Sequence, residues 1–288
     1  MNILVTGANG QLGSEIRELS SNYPQLYFFF EGSKSLDISN FDDVNEYIQS
    51  NKITAIINSA AYTAVDTAEK EIKKATQINV TGVFNLGKAI EQNGGKLIHI
   101  STDYVFSGES FIPYTENNEV NPEGVYGKTK LAGEEALLNL SIEAIIIRTS
   151  WLYSSYGNNF VKTMLRLGKE KENLNVVFDQ IGTPTYAKNL AKTCIDVLVK
   201  EEKIDKKNKI YHYSNEGVAS WYDFAKAIMT MSKTDCNVHP ITTKEYPTTV
   251  KRPQYSVMNK SRIKKDFNVE IPYWRDSLKE CINELQKG

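Results

Sequence analysis

The chain has 288 residues, and 34 Lys and Arg against 35 Asp and Glu leave a formal net charge of −1. A hydrophobic share of 41% with 24% charged residues belongs to a chain that buries a core, and it excludes the disordered class. Balanced, interleaved charge gives no reason to expect nucleic acid or an anionic membrane as partner, and no apolar run reaches the roughly 18 residues of a membrane span.

Residues 1–7 lack a basic region followed by a long apolar stretch, so no signal peptide is read there and the cytoplasm is the expected location. Cys194, Cys236 and Cys281 are few and far apart, which predicts free thiols, not a disulfide framework or a zinc site.

Short apolar runs rich in β-branched residues at 3–6, 26–30, 55–58, 97–101 and 144–149 read as strands, with a later candidate at 210–213. Between them Leu12/Ile16/Leu19 and Phe41/Val44/Ile48 recur at helical spacing, and a third helical segment lies around Val83 to Ala89. Such alternation predicts an α/β fold with a doubly wound parallel sheet over residues 1–150. After Trp151 the pattern loosens. Helical stripes at Phe160/Met164/Leu167 and Trp274/Leu278/Cys281/Ile282/Leu285 predict a smaller C-terminal α/β domain over 151–288 that lends elements back to the first. The dense run of both charge signs at 200–209 reads as a solvated helix end and loop.

Gly7-Ala8-Asn9-Gly10-Gln11-Leu12-Gly13 follows the first strand and opens the first helix. At such a turn the backbone can approach a pyrophosphate, and the helix start offers free N–H groups and a positive dipole end. The sheet is therefore expected to be Rossmann-like. Glu31 ends the second strand, where an acid can accept from the 2′-hydroxyl of NAD(H) and repel the extra phosphate of NADP(H). Lys34 could instead receive that phosphate, so NADPH and NADH both stay open.

Tyr126-Gly127-Lys128-Thr129-Lys130 sets Tyr126 and Lys130 one helical turn apart on one face. Ketone reduction needs a proton on oxygen, and a phenol of pKa near 10 gives it poorly unless its anion is stabilised. A nearby Lys130 ammonium is expected to lower that pKa. Thr102, at the carboxyl end of the fourth strand, can hydrogen-bond a substrate carbonyl.

The glycine loop, Thr102 and the Tyr126–Lys130 pair in this order resemble the extended short-chain dehydrogenase/reductase family. Further segments carry the resemblance along nearly the whole chain: 58–66, 101–106, 125–134, 148–153, 157–164, 179–185 and Arg252-Pro253. The likeness is to a branch that reduces a sugar nucleotide, and it implies reduction of the 4-keto group of dTDP-4-dehydro-β-L-rhamnose with NADPH or NADH. It also implies roles. Gly10, Gln11 and Leu12 approach the pyrophosphate, Asp37 and Ile38 the adenine side, and Ala61, Tyr62 and Thr63 line the way to the nicotinamide. Tyr126 gives the proton, assisted by Lys130 and Thr102. Thr102, Asp103, Trp151 and Arg252 touch the sugar nucleotide, although core packing is a rival role for Trp151.

Some members of the family are dimers held by magnesium between carboxylates. Glu15 is present, but the chain reads Tyr186-Ala187-Lys188-Asn189 where such members place acids, and a cationic Lys188 suits a hard divalent ion poorly. No metal is expected, and the chain is expected to be a monomer or a homodimer. Related dehydratases place Asp-Glu after the catalytic threonine, whereas this chain has Asp103-Tyr104, which favours simple reduction. Epimerases of the group and a non-catalytic NADP-binding regulatory subunit are the other readings.

Overall fold

The computed structural model describes residues 1–200 and 209–287, so most of the mixed-charge run, 201–208, lies outside the described residues. Five strands form where the apolar runs place them: β1 (Asn2–Thr6), β2 (Tyr27–Glu31), β3 (Ala55–Asn58), β4 (Lys96–Thr102) and β5 (Glu143–Thr149). All are parallel, in the order β2–β1–β3–β4–β5, and the strand Lys209–His212 adds to β5 at the far edge.

Alternate side chains of the central strands feed opposite faces, and both faces are covered. On one, Leu12 and Ile16 of α1 (Gln11–Leu19) join Leu190 and Cys194 of the helix Ala187–Val199 over Ile3, Val5, Ile57 and Ile98. On the other, Val44 and Ile48 of α2 (Phe41–Ser50) join Leu86 and Ile90 of the helix Val83–Gln92 over Leu4, Ile56 and Leu97. This is the Rossmann-like, doubly wound sheet expected. Because β2 lies to one side of β1 and β3 to the other, a crevice opens beyond their carboxyl ends, where sheets of this class bind ligands.

The second half of the chain completes this sheet with the helix Ala187–Val199 and the strand Lys209–His212. It also builds a second core. Val161, Met164, Phe224, Ile228, Trp274 and Leu278 pack together from the helices Phe160–Glu170, Trp221–Ser232 and Trp274–Lys287. Beside them Asn173–Val177 and Asn237–Ile241 pair in parallel. Cys194 and Cys281 are buried, Cys236 is half-buried, and all three are free. Among the described residues no helix is long and apolar enough to cross a membrane.

Candidate active site

The first strand–helix turn has glycine where a side chain would collide with backbone. Gly7 has φ +67°, and a Cβ there would stand 2.6 Å from the Ala60 amide nitrogen; a Cβ on Gly13 would stand 2.5 Å from the Gly7 carbonyl. Gly10 caps α1 in an extended conformation, and its own N–H donates to Gly7 at 2.9 Å. The first-turn amides of α1 therefore open onto a cavity of about 750 Å³ at the carboxyl ends of the strands. Gly7, Gly10, Gln11 and Leu12 wall it at this end, and Gly13 works from behind by letting the helix close on the loop.

The remaining expected cofactor contacts divide. Glu31, Asp37 and Ile38 wall the far end of the cavity, and Tyr47 of α2 donates its hydroxyl to Glu31 at 2.7 Å. Lys34 is exposed. Ala61 and Thr63 also face the cavity, but Tyr62 does not: its ring packs with Ala68 and Ala75, and its hydroxyl donates to Glu71 at 2.9 Å. The Tyr62 side chain thus packs away from the cavity that its two neighbours line. Asn79 ties this segment to the Tyr126 helix by accepting from the Tyr62 amide at 2.9 Å and donating to Thr129 at 3.1 Å. Asn9, Gly32, Ser33, Ser59, Ala60 and Asn158 line the cavity as well. No spacing rule singled them out, although several flank the glycine loop or lie in the segments that carry the resemblance.

Thr102, Tyr126 and Lys130 meet in this cavity. Thr102 closes β4, whereas Tyr126 and Lys130 project from the helix Val125–Leu138. The Thr102 hydroxyl donates to Asp103 Oδ1 at 3.0 Å and stands beside the Tyr126 phenol. Burial pushes the phenol well above the usual range; the nearby Thr102 hydroxyl opposes this, while Asp103 and Tyr104 add to it. The surroundings thus hold Tyr126 protonated, instead of lowering its pKa as its spacing from Lys130 suggested. Burial also pushes the Lys130 amine down to about 8, against the pull of Glu134, and the amine donates to the Ile100 carbonyl at 2.7 Å.

On the side of the second core, Asp103 and Trp151 line the cavity. Burial raises the Asp103 carboxyl to about 6, opposed by Thr102 and Ser256, and its Oδ2 has no partner among the described residues. Trp151 stacks on Trp221 with ring centroids 3.6 Å apart and planes at 8°. Its backbone has φ +48°, rare for a bulky residue, and a Cβ on Gly182 would stand 2.6 Å from the indole. Platform and packing are one arrangement here. Arg252 does not line the cavity; it pairs with Asp66 and lies near Tyr104, which does line it.

The residues around Glu15 do not fit magnesium. Lys188 pairs with Glu280 and Glu284, and Tyr186 donates to Glu284, so an ammonium already sits among the carboxylates. Glu15 itself is fully buried, accepts from Ser154 at 2.5 Å, and has its second oxygen unpartnered. Burial pushes it up to about 7. A proton satisfies such a carboxyl.

Residues 1–287 match the family described as RmlD substrate binding domain. A dTDP-4-dehydrorhamnose reductase of Aggregatibacter actinomycetemcomitans is 43% identical over 289 residues, covering 96% of this chain and 97% of that protein. The crystal structure of a dTDP-4-dehydrorhamnose reductase from Clostridium acetobutylicum superposes with a TM-score of 0.93 at 42% identity, covering 99% of this chain and 100% of that one. One from Bacillus anthracis, solved in complex with NADP, gives 0.92 at 40% identity, covering 98% and 99%. The chain belongs to the RmlD substrate binding domain family, within the extended short-chain dehydrogenase/reductases.

Proposed function

We propose that the protein reduces the 4-keto group of dTDP-4-dehydro-β-L-rhamnose to dTDP-β-L-rhamnose with NADH or NADPH, in the cytoplasm. The observation that carries this reading is the meeting of the Thr102 and Tyr126 hydroxyls with Lys130 in the cavity walled by the glycine loop. Residues 1–150 hold the dinucleotide: Gly10, Gln11 and Leu12 at its pyrophosphate, Glu31, Asp37 and Ile38 at its adenosine. Residues 151–288 complete the sugar-nucleotide side, with Trp151 as a flat apolar wall and Arg252 as a cation near the edge. When bound, the reduced nicotinamide supplies hydride to the carbonyl carbon.

Thr102 and Tyr126 hold the carbonyl oxygen between two hydroxyls, which fixes the carbon that reacts. As negative charge grows on that oxygen, Tyr126 gives it a proton. Its buried phenol is fully protonated at neutral pH, the state a reductase needs at the start of each turnover. Glu31, held by Tyr47, would oppose an adenosine 2′-phosphate by like charge, which favours NADH as the reductant. A single acid, Asp103, followed by Tyr104 suits reduction better than expulsion of a hydroxyl. The Lys188 arrangement suits a monomer, or a homodimer held without magnesium.

The test is Tyr126→Phe, which removes the proton donor and keeps the ring. It should lower kcat by roughly 10²–10⁴ with little change in cofactor binding. Turnover near that of the wild type removes Tyr126 from the mechanism.

A further inference from the structure

Lys130 is met by a buried polar chain that starts two strands away. Thr6, at the end of β1, donates its hydroxyl to Asn58 Oδ1 at 2.7 Å. Asn58 Nδ2 lies 3.0 Å from His99 Nδ1, and His99 Nε2 lies 3.3 Å from Lys130 Nζ. All four residues are at most 1% exposed.

The hydrogens in this chain follow from one backbone contact. Asn58 Oδ1 also accepts the Ala60 N–H at 3.1 Å. A backbone amide only donates, so Oδ1 must face it, and the Asn58 amide cannot be turned over. Nδ2, which only donates, then faces His99 Nδ1, and Nδ1 must be the unprotonated nitrogen. Burial, with the positive charge of protonated Lys130 adding to it, holds the imidazole neutral, so its one proton sits on Nε2 and points at Lys130. An ammonium at Nζ would set N–H against N–H. A neutral amine accepts that proton with its lone pair while still donating to Ile100.

We propose that His99 is a positioning residue, locked by Asn58 as the Nε2–H tautomer, whose donated hydrogen bond loosens the hold of Lys130 on its proton. This rests on Tyr126 as the proton donor. Once Tyr126 has given its proton to the substrate oxygen it is a phenolate, and it must be reprotonated before the next turnover. The Lys130 ammonium, in the same cavity, supplies through solvent there the proton that restores Tyr–OH, leaving the neutral amine that His99 is arranged to satisfy; solvent recharges the amine when product leaves. The charged and titratable groups facing Lys130 are few. Glu134, one turn along the same helix, favours the ammonium, but Arg148 of β5 and Ser101 of β4 share its carboxylate. His99 faces it from β4, and Tyr126, four residues earlier on the same helix, lines the same cavity.

The experiment is nitrogen NMR on protein with labelled histidine, without substrate or cofactor. The chain has three histidines, so His99→Gln identifies the resonance pair by its loss. The expected result is an unprotonated Nδ1 and a protonated Nε2 from pH 6 to 10, with the Nε2 shift stepping near pH 8 as Lys130 titrates. A protonated Nδ1, or an imidazolium, overturns the proposal whether or not the sugar substrate is correctly assigned. In Asn58→Asp the new carboxylate draws the proton to Nδ1 and makes Nε2 an acceptor. The basic limb of the kcat–pH profile should then rise by about one pH unit or more. His99→Gln, which can turn its carbonyl to the ammonium, should move the limb the same way, and an unmoved limb in both folded variants contradicts the proposal.

Discussion

Glu15 makes a prediction whose sign is unusual for a carboxylate. It lies on α1, fully buried, held by one hydrogen bond from Ser154 with its second oxygen unpartnered. Burial raises it to about 7 from the ordinary 4.5, with Glu284 and Glu18 adding to the rise and Ser154 and Lys188 opposing it. The folded state therefore binds this proton more tightly than the unfolded chain does. The corresponding stability is fully present below pH 4.5 and is lost as pH rises through about 7. That gap corresponds to about 3 kcal/mol. Glu15→Gln keeps the shape and an acceptor for Ser154 but never ionises. At pH 8 the variant should be more stable than the wild type by up to about 3 kcal/mol, and near pH 4.5 the two should converge. Urea unfolding of both proteins at intervals from pH 4.5 to 8 reads the difference directly. Parallel curves would show that Glu15 is ionised in the fold, and the reasoning from its burial would be wrong.

Other expectations follow from single contacts. Removing the carboxylate in Glu31→Ala should raise the NADPH-to-NADH ratio of kcat/KM by roughly tenfold, about 1.4 kcal/mol, and an unchanged ratio would show that Glu31 does not read the ribose. Glu134 and Arg148 form an ion pair with side chains 1% and 2% exposed, and Arg148 Nη1 already lacks a partner. Glu134→Ala strands that guanidinium and should cost about 3–5 kcal/mol in denaturant unfolding; a loss under 1 kcal/mol would mean that water reaches the site.

The sheet is legible because central parallel strands are buried on both faces and so read as unbroken apolar runs, as 55–57 and 144–147 do. The helix Ala187–Val199 escaped for the matching reason: with Leu190, Ala191, Cys194, Ile195, Val197 and Leu198 all buried, it shows no narrow apolar stripe. The glycine loop and the Tyr126–Lys130 spacing are local patterns, and local patterns survive in a sequence. Ala61 and Thr63 reach the cavity, and the tyrosine between them turns into the core. Pairings across long separations left no trace: Glu15 with Ser154, Arg252 with Asp66, and His99 with both Asn58 and Lys130. A lone histidine in an apolar strand looks like core until its neighbours are known.

The central claim is a reaction, and one assay reaches it. Purified protein is mixed with dTDP-4-dehydro-β-L-rhamnose and either NADH or NADPH, cofactor oxidation is followed, and the sugar nucleotide is identified afterwards. One cofactor is expected to be oxidised for each dTDP-β-L-rhamnose formed, faster with NADH. No oxidation with either cofactor, or a product formed without net oxidation, would contradict it.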